Sequence, residues 1–132
     1  MLHVRVGLII GLLAWLLFGS ICTAGDSELK VAAATDDQEK NGLISMVAAR
    51  APYFMIFDKN GHLLETVVNP YTDAESGAGS KTVNFLAEKE VTVIIAGRFG
   101  RKMKAALKGS NITYIEQQGT VIDKVKEVTH VK

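Results

Sequence analysis

Apolar residues fall into short blocks along this chain, separated by polar and glycine-bearing connections. Leu29-Lys-Val-Ala-Ala-Ala-Thr35 is short and mostly apolar, which predicts a buried strand. A polar loop runs from Asp36 to Gly42, and Leu43-Ile-Ser-Met-Val-Ala-Ala49 predicts a short helix or an irregular apolar turn. Pro52 closes that segment, because the residue before a proline is driven out of the helical region. Tyr53-Phe-Met-Ile-Phe57 has the aromatic and branched side chains of a strand. Asp58-Lys-Asn-Gly61 supplies the Asn-Gly pair that reverses a hairpin, and His62–Val68 is the returning strand.

Turn-forming residues run from Asn69-Pro70 to Ser80, which is placed to cap a helix over Lys81–Lys89 with Val83, Leu86 and Ala87 on one face. Val91-Thr-Val-Ile-Ile-Ala96 is nearly continuous in apolar character, the pattern of a strand covered on both sides. Gly97-Arg-Phe-Gly100 leads into a helix over Arg101–Lys108, which Gly109 is expected to end. Asn111–Glu116 reads as the next strand. Thr120 and Asp123 then form a T-x-x-D capping box for a last helix with Val121, Ile122, Val125 and Val128 on one side. Three strands in a meander, followed by two helical crossovers, give an α/β class. The expected architecture is ribonuclease-H-like: a five-stranded mixed sheet of order 3-2-1-4-5, with flanking helices set by right-handed crossovers.

The first 24 residues do not fit this pattern. His3 and Arg5 precede an apolar run from Val6 to Phe18, which is too short to span a bilayer and suited to an export signal. Cys22-Thr-Ala24 places small residues for cleavage after Ala24. An uncleaved membrane anchor is the alternative, whereas Ile21 argues against lipid attachment at Cys22. Residues 25–132 then form one exported domain, and the expected location is the periplasm. Cleavage removes Cys22 and Trp15, the only cysteine and tryptophan, and leaves 14 basic against 14 acidic residues. Disulfides, a cysteine nucleophile and a cysteine-held iron–sulfur cluster are thereby excluded from the mature domain. Zero net charge gives no basis for nucleic-acid binding.

The topology also predicts a site. The loops Thr35–Gly42, Asn69–Ser80, Gly97–Gly100 and Gln117–Thr120 should meet at one edge of the sheet, with the Asp58–Gly61 turn at the other. Ligands of open α/β sheets bind beyond the carboxyl ends of the parallel strands. Glycines precede helices at Gly77-Ala-Gly79, Gly97–Gly100 and Gly119, and exposed amides at helix starts attract anions. The candidate binding residues are Thr35 and Asp36 after the first strand, Asn69, Gly77 and Gly79 after the third, and Gly97, Arg98, Gly100 and Arg101 after the fourth. Lys102 adds charge nearby. Other candidates are poorer. Asp36, Asp37, Asp73 and Glu75 do not make a two-metal nuclease site, and Asp58–Gly61 has its glycine too early for a calcium loop. His62 and His130 are isolated, and Met46, Met55 and Met103 read as core filler before copper(I) ligands. Asn111-Ile-Thr113 fits a glycosylation sequon but opens a strand expected to be buried. No Ser-His-Asp, Cys-His or Walker pattern is present.

Ala49-Arg-Ala-Pro-Tyr-Phe-Met-Ile-Phe-Asp58, Asn69-Pro70, Gly77-Ala-Gly79 and Val93-Ile-Ile-Ala-Gly97-x-x-Gly100 together resemble the dinitrogenase iron–molybdenum cofactor biosynthesis family, the group of NifX, NifY and the C-terminal part of NifB. The resemblance runs from about Lys30 to Glu127. It implies a ribonuclease-H-like fold without nuclease activity and, as cargo, iron–molybdenum cofactor, its precursor or a related metal–sulfur cluster. Many members carry His-Phe-Gly where this chain has Val47, Ala48 and Ala49, so that histidine ligand is missing. The leading expectation is a non-catalytic exported domain that binds a small anion or metal–sulfur cluster through backbone amides and Arg98 and Arg101. A periplasmic protein–protein interaction module without bound ligand is the alternative, with the membrane reached only through the N-terminal segment.

Overall fold

All five residues of Val31-Ala-Ala-Ala-Thr35 are buried, and this strand, β1, is the centre of the molecule. The computed structural model describes residues 28–130, so the candidate export segment 1–24 lies outside the described residues. The other strands are β2 (Tyr53–Phe57), β3 (Leu63–Val68), β4 (Val93–Ala96) and β5 (Thr113–Glu116). They form one mixed sheet in the order β3-β2-β1-β4-β5, as the meander and crossovers predict. β1 pairs antiparallel with β2, Ala33 opposite Met55, and parallel with β4, Ala33 beside Ile95.

Strand alternation divides the core in two. Ala32, Ala34, Phe54, Ile56 and Ile94 face α1 (Ala78–Glu88) and α2 (Arg101–Gly109), which contribute Val83, Leu86, Met103 and Leu107. Val31, Ala33, Met55, Phe57, Val93 and Ile95 face Val121 and Val125 of α3 (Val121–Thr129). The three alanines of β1 leave the bulk of both layers to the neighbouring strands.

Several boundaries differ from expectation. Of the two forms expected for Leu43–Ala49, the structure takes the irregular one and not the helix. The segment runs extended along the end of the sheet, with bridges Thr35↔Ile44, Leu43↔Thr120 and Val47↔Arg98, and only Ala48–Arg50 closes a 3-10 turn. The segment's amides find partners outside it: Ile44 N donates to Gly119 O, Ser45 N to Ala34 O and Ala48 N to Arg98 O. These long-range bonds, with branched Ile44 and Val47, outweigh a short local helix.

α1 starts at Ala78, and its N-cap is Gly77 in a left-handed conformation (φ 70°), not Ser80. Packing decides this: a Cβ on Gly79 would lie 2.9 Å from Met103 Cβ, so the first turn of α1 rests directly on α2. Gly109 does not end α2. Ser110 is the C-cap and Asn111 takes the left-handed conformation (φ 57°) that the glycine was expected to supply. Thr120 caps α3 as the capping box predicts, its Oγ1 accepting from Asp123 N at 3.4 Å. β1, β4 and β5 each begin two residues later than the apolar pattern indicates, and β3 begins at Leu63.

Candidate functional site

The four loops do share one edge of the sheet, and the Leu43–Ala51 segment stitches them together. Gly97 N donates to Ser45 O, Ala48 N to Arg98 O and Ile44 N to Gly119 O. Asn69 Nδ2 donates to Ala49 O and Ala51 O, and Arg50 Nη1 donates to Thr72 O and Ala74 O.

This stitching sorts the candidate residues into two groups. Thr35, Asn69, Gly79 and Gly97 serve the architecture. Thr35 is buried, its Oγ1 donating to Leu43 O and accepting from Asp37 N. Asn69 is 2% exposed, and its Oδ1 accepts from Tyr71 N and, at 3.5 Å, from Thr82 Oγ1. Gly79 is the α1–α2 contact. Gly97 lets the chain pass close to Met46, since a Cβ there would meet Met46 O at 2.9 Å and Cα at 3.0 Å. Asp36 is exposed and its carboxylate accepts from Ser45 Oγ at 2.9 Å, which tethers the loop and adds negative charge to it.

Gly77, Arg98, Gly100 and Arg101 form the second group. Neither Gly77 nor Gly100 has a side-chain cap, and neither α1 nor α2 carries an acid in its first turn. Among the described residues the first-turn amides of Ala78–Ser80 and Arg101–Met103 have no partner. The Gly79–Met103 contact sets these two helix starts side by side, so two positive dipole ends converge. Arg98, Arg101, Lys102 and Lys81 are exposed beside them. The third glycine-bearing start is different: Val121 N and Ile122 N donate to Gly42 O and Lys40 O, and Thr120 caps the helix, so the Gly119 turn is closed by the chain itself.

Glu116 borders the open pair. Its carboxyl is held below the ordinary glutamate value of 4.5, first by the Phe99 amide donating to Oε2 at 3.2 Å and then by Lys104 at 3.2 Å from Oε1. It thus fixes the Gly97–Gly100 loop to the end of β5.

Met46 was not legible as a surface residue. Met55 and Met103 are buried as expected, but Met46 is 52% exposed at this edge, with Gln118 Nε2 3.4 Å from its sulfur. Its apolar neighbours in Leu43–Ala49 made it read as core filler. A cavity of 560 Å³ opens at the opposite edge, lined among others by Lys30, Asp58, Leu64, Glu90 and Asn111. It contains none of the candidate residues. No group of three His, Cys, Asp or Glu side chains that could hold a metal ion occurs among the described residues.

The profile of the dinitrogenase iron-molybdenum cofactor family matches residues 28–130. The chain belongs to that family. No match is found among curated proteins. Among solved structures, the apo form of the orange protein from Desulfovibrio gigas is 24% identical with TM-score 0.73, covering 78% of this chain and 88% of that one. A candidate NifB protein from Thermotoga is 31% identical with TM-score 0.65, covering 77% and 88%. A candidate dinitrogenase from Methanocaldococcus jannaschii is 19% identical with TM-score 0.54, covering 78% and 89%. The first and last of these establish likeness of fold. Within the iron-molybdenum cofactor family, the likeness to these structures covers 77–78% of the chain.

Proposed function

We propose that this chain is a non-catalytic, exported carrier whose cargo is a small anion or a metal–sulfur cluster, built on a ribonuclease-H-like domain. The observation that carries the reading is the adjacent, uncapped starts of α1 and α2, flanked by Arg98 and Arg101. Each helix start favours an anion by about 0.3–1 kcal/mol when exposed, and a charge-assisted hydrogen bond adds about 1.5–3 kcal/mol. Two converging dipoles and two exposed guanidiniums, Arg98 also acting on the Glu116 carboxylate, suit a multivalent anion better than a metal cation. Family membership supports a metal–sulfur cargo, and the open, cation-flanked helix starts support its retention by charge. The short apolar run before Phe18 and the small residues at Cys22-Thr-Ala24 support export.

Titration with tetrathiomolybdate, a soluble molybdenum–sulfur dianion, tests the reading. Replacing Arg98 and Arg101 together by alanine should weaken uptake roughly tenfold or more. Equal uptake by wild type and the double variant would overturn it.

A further inference from the structure

The side of β5 away from β4 carries no neighbouring strand. Thr113 N and Gln117 N donate inward, to Thr92 O and Ala96 O, so by strand alternation the N–H and C=O groups of Tyr114 and Glu116 point outward. Beside this open edge lies a groove of 360 Å³ between β5 and α2, lined by Lys104, Ala105, Lys108, Ile112, Thr113 and Tyr114. Its floor is apolar and its helix wall is basic. Tyr114 is 38% exposed, packs on Phe99 with ring centres 5.2 Å apart, and has Lys104 Nζ 5.6 Å from its ring. Lys108 is exposed with no partner among the described residues.

From this geometry we propose that the β5 edge is a docking site for an extended acidic peptide, added to the sheet as a sixth strand. Main-chain bonds would form to Tyr114 and Glu116, and every second side chain would enter the groove against α2. Lys104 and Lys108 are four residues apart on one helix, about 6 Å along its axis. Alternate residues of a strand are about 6.7 Å apart. The spacing therefore selects carboxylates at alternate positions of the peptide. Lys104 is already shared with Glu116 at 3.2 Å, which leaves Lys108 as the stronger anchor. The groove lies on the β5 side of α2 and shares only the Lys104–Glu116 pair with the helix starts above.

The test is fluorescence anisotropy of the full chain with three short labelled peptides: one alternating valine and glutamate, one of the same composition with the glutamates contiguous, and one alternating valine and lysine. The alternating acidic peptide should bind most tightly. Lys108→Glu and Ala105→Trp, both at exposed positions, should each weaken it roughly tenfold while the circular dichroism spectrum stays unchanged. Failure to bind, indifference to peptide pattern, or indifference to both variants would overturn the proposal. So would a dimer of this chain that Ala105→Trp dissociates, since the edge would then belong to a second copy.

Discussion

At the scale of single residues, the site is defined by which backbone groups remain unpaired, and a few side chains decide that. Asn69 uses both ends of its amide to join the segment before β2 to the loop after β3. Asn69→Ala should cost about 1–3 kcal/mol, because the buried carbonyl of Ala51 and the half-buried one of Ala49 lose their donor; urea unfolding measures this. Its role could not be read from the sequence, since its partners lie 18 and 20 positions away. Gly79 is a comparable case. Alanine is the better helix former by about 1 kcal/mol, yet its Cβ would press on Met103 at 2.9 Å and on the α2 backbone at 3.3 Å. Gly79→Ala should therefore destabilise the fold by about 1–3 kcal/mol and, by parting the two helix starts, also lower anion affinity. A stabilised Gly79→Ala protein would contradict the close-packed interface.

At the scale of elements, strands were legible where apolar blocks are short and bounded by turns, and β2 matches its predicted span. Leu43–Ala49 stayed open between a helix and an irregular turn, because the same apolar spacing serves both. What chooses between them is hydrogen bonding to β1, Arg98 and Gly119, none of which is local. Gly77 carried the α1 start in plain sight, but a serine three residues on looked like the better cap. The link between β5 and the loop after β4 is the Glu116 carboxylate, whose depressed pKa makes it pH-sensitive. Its contribution is present in full above the unfolded value of about 4.5 and is lost as pH falls through the lower folded value. Thermal melts of wild type and Glu116→Gln should thus differ at neutral pH and converge in acid. A gap that widens on acidification would contradict this link.

For the molecule as a whole, the sheet order follows from the sequence of apolar blocks and the handedness of crossovers, and the edge where the loops gather follows from strand direction. The sorting of that edge did not follow. Three glycine-bearing helix starts looked alike, but α3 is sealed by Gly42 and Lys40 while α1 and α2 stand open. The export reading makes its own prediction: intact mass of protein from the native envelope should begin at Gly25, and a chain retaining residues 1–24 would favour the anchor. Where the cargo sits is the deciding observation. A crystal soaked with tetrathiomolybdate and recorded at the molybdenum edge should show anomalous density over the first turns of α1 and α2, within reach of Arg98 and Arg101. Density confined to the opposite cavity beside Lys30 and Glu90, or at the sealed start of α3, would contradict it.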